Sequence, residues 1–151
     1  DSASNWGPVP KRDLSVKDGD TITLGGQSVT INITPGHTLG TITPTFDVVS
    51  NGKKHRVLLW GGTAFNFGNN IPRMDTYIAA TQRMAKLAQE QGIDVMLSNH
   101  GGYDGTVAKL EALRKDPKSE AFVIGMPAVV RGLQVMGECA QAQRDRYLLM
   151  R

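Results

Sequence analysis

The sequence predicts an α/β protein of the α+β type, in which a mixed β-sheet carries helices on one face. Three observations support this fold class. Apolar and polar residues alternate in the first part of the chain, glycine-rich turn signals separate the alternating stretches, and after residue 73 the apolar period changes to three and four residues. Hairpins followed by helices that alternate with one strand are typical of a sheet with helices on one side.

Turn signals predict two β-hairpins before residue 60. Gly25-Gly26 separates the first pair of alternating segments, and Asn51-Gly52, the strongest short hairpin signal, separates the second pair. The predicted strands are residues 21–24, 29–33, 41–50 and 54–60. His55 lies near the tip of the second hairpin, beside lysine and arginine residues, and is predicted to be a solvated surface residue.

Helices are predicted in the second part of the chain. Apolar residues recur at helical spacing from Arg73, and Gly92 stands where such a helix ends, so an amphipathic helix should lie on the sheet. A short buried strand follows over 93–98. A shorter helix is predicted over 106–115, with Asp104 or Thr106 as its N-cap, and the last helix runs from residue 127 to about residue 147.

Composition limits the function classes. The 151 residues can bury one core, and 40% apolar with 21% charged residues describes an ordinary globular chain. The net charge of +3 is spread along the chain, which argues against a nucleic-acid partner. No stretch of about 18 apolar residues exists, so no membrane partner is expected. The single cysteine, Cys139, fits a helical pattern and is interpreted as a small apolar residue.

Two histidines are candidate metal ligands. His37 lies in the loop segment T-P-G-H-T-L-G at residues 34–40, just after an alternating run, and His100 follows the short apolar run at 93–97. Both are expected at the ends of strands, where a rigid scaffold can aim a side chain into a cleft.

With these motifs the chain resembles the metallo-β-lactamase superfamily, whose zinc hydrolases carry a T-P-G-H-T-x-G loop and, later, a strand that ends in a histidine. The nearest resemblance is to the group that includes the class B3 β-lactamases. The family's main metal-binding signature, H-x-H-x-D-H, lies upstream of this loop in the family and is absent from the 151 residues. The resemblance therefore implies half of an αββα sandwich.

On this interpretation residues 1–151 are the C-terminal portion of such a domain. Residues 1–18 form a leading loop, residues 19–60 form strands and hairpins, and residues 71–151 form helices with one strand. The missing half would leave the inner face of the sheet exposed. This exposure predicts either a partner in the absent N-terminal half or association into a homo-oligomer.

The resemblance implies zinc as the cofactor, one or two ions in the complete domain, with metal-activated hydroxide attacking a carbonyl or a related ester or amide. His37 would belong to a three-histidine site and His100 to the second site, so the ligand set is incomplete here. Thr63 and Asn66 are candidates for hydrogen bonds to substrate, or simply satisfy a loop backbone. Tyr103 either lines the opening of the same site or belongs to the turn that leads into the following helix. Gly62 stands where many relatives place a metal-bridging aspartate.

Two functions remain open from the sequence. One is a fragment of a zinc-dependent hydrolase that acts on a small-molecule substrate in the full-length protein, the fragment itself being inactive. The other is a non-catalytic module that assembles through its exposed sheet. A periplasmic or secreted location fits the first function, with a cytoplasmic location as the alternative.

Overall fold

The computed structural model describes residues 11–150. Its five strands form one sheet in the order β1-β2-β3-β4-β5. Strands β1 to β4 are antiparallel neighbours, and β5 pairs with β4 in parallel, so the predicted mixed sheet is confirmed. The strands are β1 (Thr21–Leu24), β2 (Gln27–Ile33), β3 (Ile42–Ser50), β4 (Lys53–Trp60) and β5 (Val95–Ser98). Of the predicted leading loop at 1–18, the first ten residues lie outside the described part of the chain.

Four helices follow or flank β5. They are α1 (Ile71–Gln91), α2 (Gly101–Asp104), α3 (Thr106–Lys115) and α4 (Met126–Leu149). The side chain of Asn70 accepts the backbone N–H of Arg73 at 3.1 Å, and Gly92 ends α1 in the left-handed conformation. Within residues 11–150 no helix is both long and apolar enough to cross a membrane.

The core lies between one sheet face and the helices. Leu58 and Trp60 of β4 pack into a cluster with apolar side chains from α1 and α4. The two helices approach closely at Gly137, where a Cβ atom would come within 2.6 Å of the Thr81 hydroxyl oxygen. The helices on one face that the sequence predicts are therefore confirmed, and α4 is held against α1 as well as against the sheet.

The opposite face of the sheet is apolar. Strand alternation and the registers place on it Ile22, Leu24, Val29, Ile31, Ile33, Ile42, Pro44, Phe46, Val48, Val57, Leu59, Val95 and Leu97. None of these side chains belongs to the core cluster beneath the helices. We call this surface the apolar sheet face. Part of it is open to solvent, since Leu24 is 84% exposed and Ile42 38% exposed, whereas Ile31, Val57 and Val95 are buried.

The prediction that His55 is solvated is wrong. Its side chain is buried, and Nδ1 lies 2.6 Å from a carboxylate oxygen of Asp94. The other carboxylate oxygen of Asp94 accepts the Arg56 backbone N–H at 3.1 Å. Alternation along β4 places His55 on the apolar sheet face, on the same side as Val57, and the contact with Asp94 accounts for its burial there.

Candidate functional site

Three loops meet at one edge of the sheet. Strands β2, β4 and β5 run in the same direction, since β2 and β4 are each antiparallel to β3 and β5 is parallel to β4. Their carboxyl ends therefore lie at the same edge. The loops that follow these ends carry His37, Thr63 and His100, which places the sequence-predicted site residues on neighbouring segments.

The His37 loop is closed by its own hydrogen bonds and rests on α1. The Thr34 N–H donates to the Thr41 carbonyl at 2.8 Å, and the Thr38 N–H donates to the Thr41 hydroxyl at 2.9 Å. Gly36 has a φ of +148°, and a Cβ atom there would come within 2.8 Å of the Cα and Cβ atoms of Tyr77. The loop needs glycine at this position because the helix backbone approaches so closely.

The imidazole of His37 is held by the β4 loop. Its Nδ1 is hydrogen-bonded to the backbone carbonyl of Ala64. A carbonyl oxygen only accepts, so Nδ1 carries the proton, and in the neutral ring Nε2 keeps a free lone pair. Histidine ligands of metals have this arrangement, in which the second ring nitrogen donates to a carbonyl or carboxylate.

Arg73 clamps the same loop, and the sequence interpretation missed it. Its Nε donates to the Gly36 carbonyl at 2.8 Å, and a terminal nitrogen donates to the carbonyl of His37. The guanidinium also lies 4.5 Å from the centre of the Phe67 ring. One weak signal exists in the sequence. A cation in the first turn of a helix is unfavourable for the helix itself, so Arg73 serves a neighbouring structure.

Thr63 ties the β4 loop to the β5 loop. Its buried hydroxyl lies 2.7 Å from the Ser98 hydroxyl and donates to the Asn99 side-chain oxygen at 2.7 Å. Its carbonyl accepts the Tyr77 hydroxyl at 3.1 Å. Burial raises the pKa of Tyr77 to about 12, so this hydroxyl stays a donor at neutral pH. Asn66 lies three positions further along the same loop and is exposed.

His100 stands at the start of α2 on an open surface. Its backbone N–H donates to the Ser98 hydroxyl at 3.1 Å, and its exposed ring lies 6.1 Å from that of Tyr103, centre to centre. His100 and Tyr103 border one shallow cavity together with Ala64. The carbonyl of Ala64, a residue that borders this cavity, is the group that accepts from His37.

The N-cap of α3 is Gly105, so the prediction that Asp104 or Thr106 occupies this position is wrong, because the chain turns from α2 into α3 through a left-handed glycine. The Asp104 carboxylate accepts the Thr106 backbone N–H at 2.9 Å, at the start of α3, and the Ser98 N–H at 2.8 Å. Burial disfavours the charged form, but the hydrogen bonds from Thr106 and Ser98 outweigh it and hold the pKa of Asp104 below its ordinary value. Asp104 thereby fixes the β5 loop, which carries His100.

The described residues do not supply a complete metal site. Between residues 11 and 150 no group of three or more histidine, cysteine, aspartate or glutamate side chains lies close enough together to hold a metal ion. A structural or catalytic zinc site needs at least three protein ligands. His37 is hydrogen-bonded in the way that metal-binding histidines are, but the described residues supply fewer than the three ligands that a zinc site needs.

Comparison with known proteins settles the fold. No family model and no curated protein matches the sequence. Among solved structures, the chain is similar to BJP-1, a subclass B3 metallo-β-lactamase of Bradyrhizobium japonicum, at 26% identity and a TM-score of 0.73, over 95% of this chain and 53% of that one. The fold is that of half a class B3 metallo-β-lactamase. The predicted resemblance, and the C-terminal half that the order of the motifs indicates, are confirmed.

Two further solved structures show the same fold and the same partial coverage. A β-lactamase from Chitinophaga pinensis matches at 23% identity and a TM-score of 0.67, over 91% of this chain and 51% of that chain. The metallo-β-lactamase GOB-18 from Elizabethkingia meningoseptica matches at 17% identity and a TM-score of 0.70, over 95% of this chain and 54% of that chain. The chain thus spans about half the length of each of the solved structures that it resembles.

Proposed function

We propose that this half-domain belongs to a zinc-dependent hydrolase, in which His37 and His100 are metal ligands and the remaining ligands come from the other half. The observation that carries the proposal is the bond between Nδ1 of His37 and the Ala64 carbonyl, which leaves Nε2 free at the loop edge. Two imidazoles do not complete a zinc site, so we expect the half-domain alone to be inactive.

Zinc, when bound, supplies Lewis acidity and a nucleophile at neutral pH. The role of this chain's other residues is to hold the histidine ligands in place. Arg73 and Ala64 fix the backbone and the ring of His37, and the bonds of Thr63 hold the β4 and β5 loops together. Tyr103, which is 67% exposed beside His100, offers an aromatic face to a small-molecule substrate. Asn66 offers an amide on the same edge of the sheet.

The apolar sheet face supports the proposal that another half completes the domain. Its exposed part, with Leu24, Ile42 and Val48, is an apolar patch of the kind that marks an interaction surface. The same observation also favours an alternative function. In it the chain is a non-catalytic module that assembles with a second copy through this face. Sedimentation of the purified chain, with Ile42→Asn as the disrupting variant, separates a self-associating module from a monomer that awaits its other half.

The hydrolase proposal is tested on the complete protein by zinc content and hydrolysis of a β-lactam reporter. His37→Ala should lose zinc from one site and abolish turnover, and His100→Ala should lose zinc from the other. His55→Gln is the matched control among the three histidines. Its zinc content per folded molecule should equal that of the parent. Unchanged zinc and turnover in the His37 and His100 variants would refute the assignment.

The resemblance to β-lactamases also supports a periplasmic or secreted location for the complete protein. Cell fractionation tests it. Recovery of the complete protein in the periplasmic or extracellular fraction is expected, and recovery with the cytoplasmic fraction contradicts it.

A further inference from the structure

A second cavity lies on the helix-covered side of the sheet, away from the apolar sheet face. It has a volume of about 610 Å³, within the range of small-ligand sites. Its lining includes three aromatic residues, here called its floor, and three aliphatic residues, here called its walls: Trp60, Phe65 and Tyr77, and Met96, Val135 and Met136. We call this cavity the helix-side cleft. Thr63 and Tyr103, which belong to the proposed hydrolase site, also line it, whereas His37 and His100 do not.

The cleft is preformed. Tyr77 meets Trp60 edge to face at 5.8 Å between ring centres and meets Phe65 in the same way at 5.5 Å, which fixes the aromatic floor. Gly132 of α4 keeps the cleft open, since a Cβ atom there would lie 3.6 Å from the sulfur of Met96 and a longer side chain would extend into the cavity. Methionine walls adapt to flexible ligands.

The rim carries one cation, Lys109, and one carboxylate, Asp104. Lys109 lines the cleft and its ammonium lies 5.5 Å from the centre of the Phe122 ring, and within residues 11–150 it forms no salt bridge. Asp104 also lines the cleft, but its carboxylate already accepts hydrogen bonds from Ser98 and from the N–H and hydroxyl of Thr106. Lys109 lies near enough to Asp104 to favour its charged form but makes no salt bridge with it, so the ammonium N–H groups are available to a ligand while the carboxylate oxygens are occupied.

We propose that the helix-side cleft binds an amphipathic monocarboxylate with a linear alkyl chain. The alkyl chain lies on the aromatic floor between the methionine walls, and the carboxylate pairs with Lys109. Burial of the alkyl chain supplies most of the affinity, since each buried methylene contributes favourably, and the ion pair selects the head group. The site is separate from His37 and His100 and does not depend on the proposed metal chemistry.

Cys139 gives a reporter that is specific to this cleft. It is the only cysteine of the chain, it is exposed, and it lines the cavity. The experiment measures the rate at which a maleimide modifies Cys139 in the 151-residue chain as dodecanoate is added below its micellar concentration. Dodecanoate should slow the modification in a saturable manner. Dodecyltrimethylammonium, with the same alkyl chain and the opposite charge, should protect at least tenfold less well.

Variants separate the cleft from other apolar surfaces. Gly132→Leu should abolish protection, and Ala128→Leu, which also lines the cleft, serves where the first variant fails to fold. Ala142→Leu on the exposed side of α4 is the matched control and should behave as the parent. Lys109→Gln should weaken dodecanoate protection about fivefold, the effect of one partly exposed ion pair.

The same variants define the overturning results. Absence of saturable protection in the parent chain overturns the proposal, as does full protection in Gly132→Leu or Ala128→Leu. Protection that Ile42→Asn abolishes would assign the ligand to the apolar sheet face instead. Equal protection by the cationic surfactant would remove the carboxylate from the assignment. None of these outcomes bears on zinc content, so the hydrolase proposal stands or falls separately.

Discussion

Substitution of Gly36 by alanine tests how the His37 loop is held. The new Cβ atom would lie 2.8 Å from the Cα and Cβ atoms of Tyr77, and the residue would keep a φ of +148°. The strained backbone costs about 1–3 kcal/mol. Overpacking against the α1 backbone costs a further ~1–3 kcal/mol. The free energy of unfolding should therefore fall by about 2–6 kcal/mol, a large part of the ~5–15 kcal/mol typical of a domain.

Gly40, in the same loop, is the matched control. A Cβ atom at Gly40 meets no other atom within 4 Å. Gly40→Ala should change the free energy of unfolding by no more than about 0.5 kcal/mol. Urea denaturation followed by far-UV circular dichroism measures both variants. Equal transition midpoints for Gly36→Ala and the parent would refute the close contact between this loop and α1, and with it the rigid placement of His37.

Three further predictions concern the residues around the site. Arg73→Ala should lower the free energy of unfolding by about 2 kcal/mol in urea titrations, because two carbonyls lose a charged donor. His55→Ala should cost about 2–3 kcal/mol by the same measurement, since it leaves the Asp94 carboxylate without its partner, whereas the exposed His100→Ala should cost less than about 0.5 kcal/mol. Asp104→Asn should reduce the loss of unfolding free energy that occurs as the pH is lowered. The pKa of Asp104 is lowered on folding, so its stabilisation is present above the unfolded pKa of about 4 and is lost as the pH falls through the folded value.

Each of these predictions has its own contradicting result. An unchanged midpoint in Arg73→Ala would remove the guanidinium from its clamping role. Equal losses in His55→Ala and His100→Ala would contradict the buried pair with Asp94. If the Asp104→Asn variant loses stability between pH 5 and pH 2 as steeply as the parent, the hydrogen-bonded carboxylate is not the titrating group.

Local signals in the sequence were sufficient for the architecture. Asn51-Gly52 and Gly25-Gly26 both close hairpins, because these residues adopt the positive φ angles that tight turns require. Gly92 ends α1 as predicted, for the same conformational reason. The start of α1 was predicted two residues late, since the apolar spacing does not register the first turn, which Asn70 and Pro72 define.

Contacts across the fold were harder to predict. The burial of His55 follows from its contact with Asp94, which is 39 residues away in the chain, whereas the lysine and arginine residues beside it indicated a solvated side chain. Arg73 reaches carbonyls 36 and 37 residues upstream, which no local pattern records. Thr63 was predicted as a substrate contact or a loop residue. Its hydroxyl bonds bridge two loops, and contact with substrate stays a prediction.

The central claim is that these 151 residues carry half of a metal site that the other half-domain completes. Elemental analysis of zinc, with intact mass on the same sample, tests it most directly. The purified 151-residue chain should hold almost no zinc after dialysis, and the complete protein should hold one or two ions, fewer in His37→Ala. About one tightly held zinc per chain in the monomeric half-domain, or an unchanged zinc content in the complete His37→Ala protein, would contradict the claim.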